Sequence, residues 1–351
     1  MFRIIQSRKI WFTLSGTLCL LSILALLFWG LSLGIDFTGG SLLEIKFADR
    51  VLTNDEISAS LSDLELPYLN IQPTSNNGVI LKTKTLTEAE HREILKRILT
   101  TFGEDLLQKA EGLQVSPEMV GLSGEGLENL KITATGETAD YIKGEQGLPA
   151  LNPEITSQYY EELRFDSIGP TIGKELQQKA IYAILIVIIA IILYIAYAFR
   201  KVSHPIESWK YGVAAVIALI HDILIVTGIF SALGHFFGYQ VDTLFITALL
   251  TILGFSVHDT IVTFDRTREN LHRHQDQIFE DVINSSVNET LTRSLNTSIT
   301  TFFALLAIYL FGGQSLKEFI LALMIGIIFG TYSSIFLASP LLMVWYRFKK
   351  Y

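Results

Sequence analysis

Cysteine is nearly absent from this chain, because Cys19 is the only one among 351 residues and no disulfide can form within it. The sequence also lacks the Walker A pattern of P-loop ATPases and the H-E-x-x-H pattern of zinc metalloproteases. Its aspartates lie outside the G-x-G-D setting of intramembrane aspartyl proteases. These absences argue against three classes of enzyme. We therefore expect no catalytic residue, no metal site and no cofactor.

Apolar sequence, in contrast, is abundant: 50% of the residues are hydrophobic. A helix needs about 20 apolar residues to cross a bilayer. Six runs predict transmembrane helices, at about 10–32, 174–198, 210–233, 243–264, 290–311 and 317–346. The first run is longer than the apolar part of a secretory signal peptide, and no small-x-small cleavage pattern precedes Asp36. We interpret it as an uncleaved first membrane helix.

The net charge of −8 is divided unevenly along the chain. Residues 32–172 hold 11 lysine and arginine residues against 23 aspartate and glutamate residues, a net charge of −12, and the remainder carries +4. The short loops 234–242 and 312–316 have no lysine or arginine. The positive-inside rule then predicts cytoplasmic N- and C-termini and an external region at 32–172. Because that region is acidic, it gives no support for nucleic-acid binding.

The external region has the pattern of a small α+β domain. SLLEIKF (41–47) alternates apolar and polar residues like a half-buried strand, and Thr53 and Thr87 are predicted to start two helices. Asn76-Asn77-Gly78 predicts a hairpin turn. A last strand near 161–168 gives the order βαββαβ of a ferredoxin-like fold. Residues 103–158 are rich in Gly, Glu and Pro, and we interpret them as a surface insertion.

The predicted fold is an all-α six-helix transmembrane bundle with an α+β ferredoxin-like external domain between helices one and two. The expected segments are the N-terminus with helix one, the external domain, helices two to four, a cytoplasmic loop, and helices five and six with the C-terminus, at 1–33, 34–173, 174–264, 265–289 and 290–351. Apolar residues at helical spacing after Asp281 predict that the loop runs along the membrane surface before helix five.

Four ionisable residues fall in or beside the predicted membrane helices: Asp222, His258, Asp259 and Arg293. A charge at the centre of a membrane helix costs about 2.5–3.5 kcal/mol on insertion scales, and such residues often mark ion or proton paths. Asp259 lies six residues before Asp265, about 9 Å inside the expected membrane boundary. Arg293 falls in the first turn of helix five if that helix starts near Thr290. The two side chains are therefore predicted to pair at a similar depth.

Two interpretations of this pair remain open. A carboxyl group whose arginine partner moves can bind and release a proton in a cycle, whereas a static pair would only fix helix packing. Asp222 is equally open to a proton path or to a simple hydrogen bond with a neighbour, and His258 to proton relay or packing. A polar stripe on helix five, formed by Arg293, Asn296, Thr297, Thr300 and Thr301, is expected to face the hydroxyls of helix four around Asp259.

Helix six contains small residues at four-residue spacing: Gly326, Gly330 and Ser334. Small residues at this spacing allow two membrane helices to approach closely. The pattern predicts a helix-packing face and carries little information about function.

Several motifs occur in an order that resembles one known family. They are GIDFTGG (34–40), FDSIGPTIG (165–173), ALIHDILIVTGIF in helix three, GFSVHDTIVTFDRTREN at the end of helix four, TLTRSLNTSITT, LFGG and IGIIFGTYSSIFLASPLL. Together they resemble the SecF branch of the SecD/SecF protein-export family, related to the RND superfamily of transporters. The resemblance covers almost the whole chain except about 103–158.

The resemblance implies a bacterial cytoplasmic-membrane protein that pairs with SecD beside the SecYEG channel. With SecD it would use the proton gradient to help draw a translocating preprotein out of the membrane. By position, the functional aspartate and arginine of the family fall on Asp259 and Arg293. Two departures are clear: the residue before the aspartate is His258 instead of the usual Asn, and the external domain is longer.

The function expected from these features is a proton-coupled accessory subunit of the translocase, in contact with SecD, SecYEG, the preprotein, protons and membrane lipid. Motion would reach the external domain through two glycine-containing linkers, which contribute Gly34, Asp36, Gly39, Gly40, Gly169 and Gly173. The alternative is a non-conducting scaffold that stabilises SecD and the channel. A small-molecule exporter of the RND kind is less favoured, because a six-helix half with so small a domain offers no evident drug-binding vestibule.

Overall fold

The computed structural model describes residues 2–47, 52–64, 66, 69–74, 77–102, 160–198, 207–274 and 276–350. Two compact units divide the chain: a helical unit of residues 1–38 with 172–351, and a sheet unit of residues 39–171. The predicted insertion at 103–158 lies outside the described residues, as does Asn76 of the predicted hairpin turn.

The sheet unit contains the elements β1 (Gly40–Phe47), α3 (Asn54–Ser60), β2 (Asn70–Thr74), β3 (Gly78–Thr83), α4 (Glu88–Phe102) and β4 (Tyr160–Ile168). Its antiparallel strands are ordered β2-β3-β1-β4, with Leu43 opposite both Leu81 and Phe165. This is the predicted ferredoxin-like arrangement, and it is confirmed. The alternating strand pattern places Leu43, Ile45 and Leu81 in a core shared with α3 and α4.

Both helices of the sheet unit begin as the sequence predicts. The hydroxyl of Thr53 accepts a hydrogen bond from the Glu56 amide, and the Glu56 carboxylate accepts one from the Thr53 amide. Thr87 and Glu90 form the same reciprocal pair. Each capping box satisfies backbone N–H groups that the first helical turn leaves without partners.

The helical unit contains six helices long and apolar enough to cross a membrane, which confirms the predicted number. The elements are α1 (Arg8–Phe28), the short α2 (Ile35–Thr38), α5 (Pro170–Ala198), α6 (Ser208–Phe237), α7 (Thr243–Arg273), α8 (Phe279–Phe311), and α9 (Lys317–Ser333) continuing as α10 (Ser339–Lys350). Among them α6, α7 and α9 are the most buried, and they form the centre of the unit.

Helices α7 and α8 extend beyond the apolar runs seen in the sequence. The segment expected as a loop at 265–289 is largely helical, because α7 continues to Arg273 and α8 already starts at Phe279. Val282, Ile283 and Val287 are buried, and Phe279 and Ile283 join the same apolar cluster as Phe264. The apolar residues at helical spacing therefore pack against the bundle.

A π-helical segment, Ser334–Ala338, joins α9 to α10 where the sequence predicts one continuous sixth helix. A π turn closes over five residues instead of four, so the helix widens and its side chains shift around the axis. All but one of the five residues of the segment are buried. The hydroxyl of Ser339 donates to the Ser334 carbonyl across this wider turn at 3.2 Å.

The N-terminal segment before α1 is held against α8 through its main chain. The Phe2 amide donates to Asn288 Oδ1 at 2.7 Å, and the Ile5 amide donates to Asn284 Oδ1 at 3.2 Å. Both asparagine side chains also donate to the Phe2 carbonyl. Ile4 and Ile5 are buried in the apolar cluster below. The segment is thus fixed to the same end of the bundle as the first turns of α8.

Glu44 of β1 is an ionisable residue in the interior of the sheet unit, where such residues are rare, since it is only 7% exposed. Burial raises the pKa of the Glu44 carboxyl, and the Arg164 guanidinium, opposite it on β4, lowers that pKa by less. The folded state therefore binds this proton more tightly than the unfolded chain does. The ionised carboxylate lowers stability above its folded-state pKa, and this effect vanishes below the unfolded value of about 4.3.

Glu44→Gln is expected to raise the urea midpoint of the sheet unit at neutral pH, with a gain that fades as the pH falls through the folded-state and then the unfolded pKa. Pulse proteolysis of the full chain measures that midpoint at each pH. The control Glu161→Gln, at an exposed position of β4, should change stability by about 0.5 kcal/mol or less. A lower midpoint for Glu44→Gln at neutral pH would mean that the pair with Arg164 outweighs the burial cost.

Candidate functional site

Asp222 of α6 is the most deeply buried charged residue in the described part of the chain, with an exposure of 0%. Its Oδ2 accepts hydrogen bonds from Ser256 Oγ of α7 at 2.6 Å and from Ser333 Oγ of α9 at 2.8 Å. Its Oδ1 lies 2.9 Å from His221 Nδ1. One carboxyl group thereby joins three helices.

His221, the neighbour of Asp222, has one ring nitrogen without a partner. Its side chain is 4% exposed, and Nε2 makes no hydrogen bond within the described residues. The ring stacks on Tyr332 with centroids 6.0 Å apart, and the Tyr332 hydroxyl lies 3.1 Å from Ser15 Oγ of α1. Contacts therefore extend from Asp222 through the His221 ring and Tyr332 to Ser15 of α1.

Asp259 lies on the same face of α7 as Ser256, three residues further along, and is 4% exposed. Ser294 of α8 is buried close to it. Its Oδ2 is buried and finds no partner among the described residues. Buried side-chain oxygens are nearly always paired, so an open one marks a position that water, a proton or a moving side chain can occupy.

Buried hydroxyl groups line the Asp259 face of α7, one before Asp259 and three after it, at Ser256, Thr260, Thr263 and Thr267. Thr260 Oγ1 lies 2.9 Å from Ser334 Oγ of the π segment, and Thr263 Oγ1 lies 3.3 Å from Thr290 Oγ1 of α8. The line ends at Asn270, whose amide donates to Ser286 and to Glu289. Polar groups therefore extend from the centre of the bundle to the half-exposed Glu289 near the start of α8.

The other two predicted ionisable residues lie on exposed surfaces. Arg293 and His258 are both exposed. No ion pair joins Asp259 to Arg293, although both lie in the described part of the chain, and Arg293 acts on Asp259 only through space. Each residue is about 100° around its helix from the next, so Arg293 points away while Ser294 points inward.

The polar stripe expected on helix five does share one face, but that face is exposed at Arg293, Asn296, Thr297 and Thr300. The buried face carries Thr290, Ser294 and Ser298 instead. Sequence periodicity shows both stripes equally well, and it does not indicate which stripe packs against the other helices. The sequence places His221 beside Asp222, but it gives no sign that the His221 ring or the Ser333 hydroxyl contacts the Asp222 carboxyl.

The small residues of α9 lie against α7. A Cβ atom at Gly326 would come within 2.2 Å of the Ile252 side chain, and one at Gly330 within 3.1 Å of Ser256 Cβ. Ser334 Oγ donates to the Ser256 carbonyl at 3.1 Å. This close approach brings Ser333 within reach of Asp222.

The predicted linker residues take different positions. Gly34 and Asp36 contact the loop between α6 and α7, through Val241 and Thr243. Gly39 and Gly40 have positive φ angles of 74° and 138°, and a Cβ at Gly39 would lie 2.8 Å from Pro170 Cα. Gly169 has open space around it, and Gly173 is buried in α5.

Among the described residues, no group of three or more histidine, cysteine, aspartate or glutamate side chains lies close enough to hold a metal ion. The site around Asp222 and Asp259 contains carboxyl, imidazole and hydroxyl groups, which are able to exchange protons.

Family models and individual relatives of known name point to the same protein family. The family of SecD/SecF protein export membrane proteins, in its C-terminal model, matches residues 151–348, and the SecD/SecF GG motif matches residues 25–49. The chain is 41% identical over 345 residues to the protein translocase subunit SecF of Thermobaculum terrenum, covering 98% of this chain and 94% of the relative. It is 36% identical over 347 residues to the SecF subunit of Anaerolinea thermophila, with the same coverage.

Two solved structures are similar over nearly the whole chain. SecDF from Thermus thermophilus, described as a translocon-associated membrane protein, superposes with a TM-score of 0.71 at 26% identity. A second SecDF structure, in a super-membrane-facing form, gives a TM-score of 0.60 at 27% identity. The chain is covered to 98% and 99%, but it spans only 38% and 39% of those SecDF chains.

The contact between α7 and α9 is testable by adding one carbon atom. Gly326→Ala places a methyl group in the Ile252 side chain and is expected to destabilise the protein by about 1–3 kcal/mol through overpacking. The apparent melting temperature of the purified protein in detergent should fall. The control Gly254→Ala, on α7 with nothing within 4 Å of the new atom, should leave it unchanged or raise it slightly.

Adding Ile252→Ala to Gly326→Ala makes room for the methyl group and should recover part of the loss. A Gly326→Ala protein that melts like the wild type would show that α7 and α9 are not in close contact there.

Proposed function

Since the chain belongs to the SecD/SecF family of protein-export membrane proteins, we propose that it is an accessory subunit of the Sec preprotein translocase that uses the proton gradient, together with SecD, to promote late-stage protein export. It would act in the bacterial cytoplasmic membrane, with both termini in the cytoplasm and the sheet unit outside. The uneven charge of the chain supports this orientation, because most of the basic residues outside 32–172 lie at one set of helix ends.

Asp259 carries the proposal. A carboxyl group that is 4% exposed, in an apolar helix bundle, with one oxygen that has no partner among the residues the structure describes, is costly to keep ionised. Asp222, in contrast, has hydrogen-bonding neighbours at both of its carboxyl oxygens. We assign Asp259 as the group that binds and releases the proton in each cycle.

Arg293 is proposed to pair with Asp259 in a second state of the bundle. In the structure Arg293 is exposed, one residue from Ser294, which faces Asp259. A rotation of α8 by about 100° would exchange the two positions. Loss of the Asp259 proton would favour the arginine position, and protonation would favour the serine position. Proton binding would thereby be linked to a helix movement.

Asp222 and His258 are proposed as further members of the proton path. Asp222 is separated from Asp259 by Ser256, whose hydroxyl donates to it at 2.6 Å. His258 is exposed on the face of α7 beside Asp259, so its imidazole can be reached from outside the bundle. Protons would enter or leave on that face.

The proposed partners follow from the same features. The chain spans 38% of a SecDF chain, so a SecD partner would supply a second half of similar kind. The SecYEG channel and the translocating preprotein would be met beside that pair, and lipid would cover the remaining apolar surface. No nucleic-acid partner is proposed, because the sheet-unit region is acidic.

A scaffold without proton conduction is the alternative function, and one observation favours it. Only 11%, 6% and 11% of the apolar stretches of α1, α5 and α8 are buried within the chain. Such exposed apolar helices suit a subunit that mainly binds other membrane subunits. In that case Asp259→Asn would affect assembly or nothing, but not the response to a gradient.

The test is preprotein translocation into inverted membrane vesicles that contain this protein, SecD and SecYEG, with and without a proton gradient. Asp259→Asn keeps the size and polarity of the side chain but cannot ionise, so stimulation by the gradient should be lost while assembly is preserved. Asp265→Asn is the matched control on the same helix, because Asp265 is largely exposed and pairs with Arg268. It should respond to the gradient like the wild type.

Co-purification of SecD measures assembly in every variant. A gradient response of Asp259→Asn equal to that of the wild type would refute the proton-path assignment, and failed assembly of that variant would support the scaffold.

A further inference from the structure

The segment between α1 and the sheet unit is fixed to one end of α7 by a set of hydrogen bonds. The Gly34 amide donates to the Val241 carbonyl at 2.8 Å, and the Val241 amide donates to the Ser32 carbonyl at 2.7 Å. Leu33 and Val241 form an isolated parallel bridge. The chain before the sheet unit is thus held, strand-like, beside the loop that leads into α7.

Asp36 adds a side-chain contact at the first residue of α7. Its carboxylate accepts hydrogen bonds from the Thr243 amide, at 2.9 Å, and from the Thr243 hydroxyl. The positive end of the helix dipole favours a carboxylate at this place. Phe37 is buried in the same apolar cluster as Phe245, so α2 is held by apolar packing as well.

This contact is not the ordinary cap of the helix. Asp242 already occupies the N-cap position of α7 and accepts a hydrogen bond from the Phe245 amide at 2.8 Å. Asp36 comes from more than 200 residues away and binds a further amide. Its carboxylate therefore acts as a cross-link between two segments of the chain.

Helix α7 is continuous from Thr243 to Arg273 and carries Asp259 on the way. Sixteen residues separate Thr243 from Asp259, which is about 24 Å along the helix axis. A shift or rotation of α7 caused by Asp259 therefore reaches Thr243. From Asp36 the chain needs only two more residues, Phe37 and Thr38, to enter the sheet unit at Gly39.

We propose that Asp36 is the positioning residue that transmits movement of α7 to the chain entering the sheet unit, through its two hydrogen bonds to Thr243. The inference rests on the proposed function, because it takes Asp259 as the origin of the movement. The aspartate of the GIDFTGG motif thereby gains a mechanical role, in which the protonation state of Asp259 changes the sheet unit through α7 and Asp36.

The test compares amide hydrogen exchange in the full-length protein, reconstituted with SecD in lipid nanodiscs. Asp259→Asn mimics the protonated carboxyl and should change the exchange rate of residues 39–47 by about threefold or more. The same substitution made together with Asp36→Ala should leave that rate close to that of Asp36→Ala alone.

Two variants separate a cross-link from simple loss of a carboxylate. Asp242→Ala removes an acidic side chain from the same helix end but keeps the cross-link, so Asp259→Asn should still alter exchange at 39–47 in that background. Asp36→Asn keeps one acceptor oxygen and should restore part of the response. If Asp259→Asn changes exchange equally with and without the Asp36 side chain, the proposal is wrong. No change in either background overturns it too.

A second measurement distinguishes this inference from the proposed function. In vesicles with a proton gradient, Asp36→Ala should keep gradient-driven proton uptake and lose the stimulation of preprotein translocation. Loss of both would place Asp36 in proton transfer or assembly, and loss of neither would make the contact mere packing; each result overturns the inference. Failure of the proposed function would be seen separately, because the Asp259→Asn variant would then respond to the gradient like the wild type.

Discussion

The helical unit depends on one buried carboxyl group. Asp222 has no contact with solvent and holds α7 and α9 through the hydroxyls of Ser256 and Ser333. Removing either hydroxyl leaves a buried carboxyl oxygen less satisfied in an apolar surrounding, which costs more than an exposed hydrogen bond is worth. Because each donor comes from a different helix, the carboxyl fixes the register of three helices at the same depth.

The close approach of α9 to α7 makes this arrangement possible. Asp259 differs from Asp222 in the hydrogen-bond donors that surround it. Gly326 and Gly330 let α9 lie against α7, so that short serine side chains can reach Asp222. Asp259, one turn away from Ser256, receives no comparable set of donors, and its Oδ2 is left without a partner among the described residues. Two carboxyls on adjacent helices therefore have opposite surroundings. The proposed proton path thus joins a firmly held relay, Asp222, to an open site of proton binding and release, Asp259.

Much of this structure is predictable from the sequence. The features that are not predictable have identifiable physical reasons. Strand alternation, the capping residues Thr53 and Thr87 and the hairpin signal lead to the correct sheet order, since each is a local rule with a local cause. Asp222 and Asp259 stand out because a charge in an apolar run is rare. The orientation of Arg293 was not predictable, because α8 has one stripe of Thr, Asn and Arg and another of Thr and Ser, and only packing decides between them. The π segment after Ser333 has no sequence signal of its own.

The attachment of the N-terminal segment has a consequence for how this chain can vary. Asn284 and Asn288 hold residue 2 by its backbone amide and carbonyl, while the Phe2 side chain is 70% exposed. This attachment therefore depends on two side-chain amides in α8 and on the buried Ile5, and it makes little use of the side chain of residue 2. We expect relatives to tolerate other residues at position 2, and to change the asparagine pair, four residues apart and far from it in sequence, only together with the path of the segment.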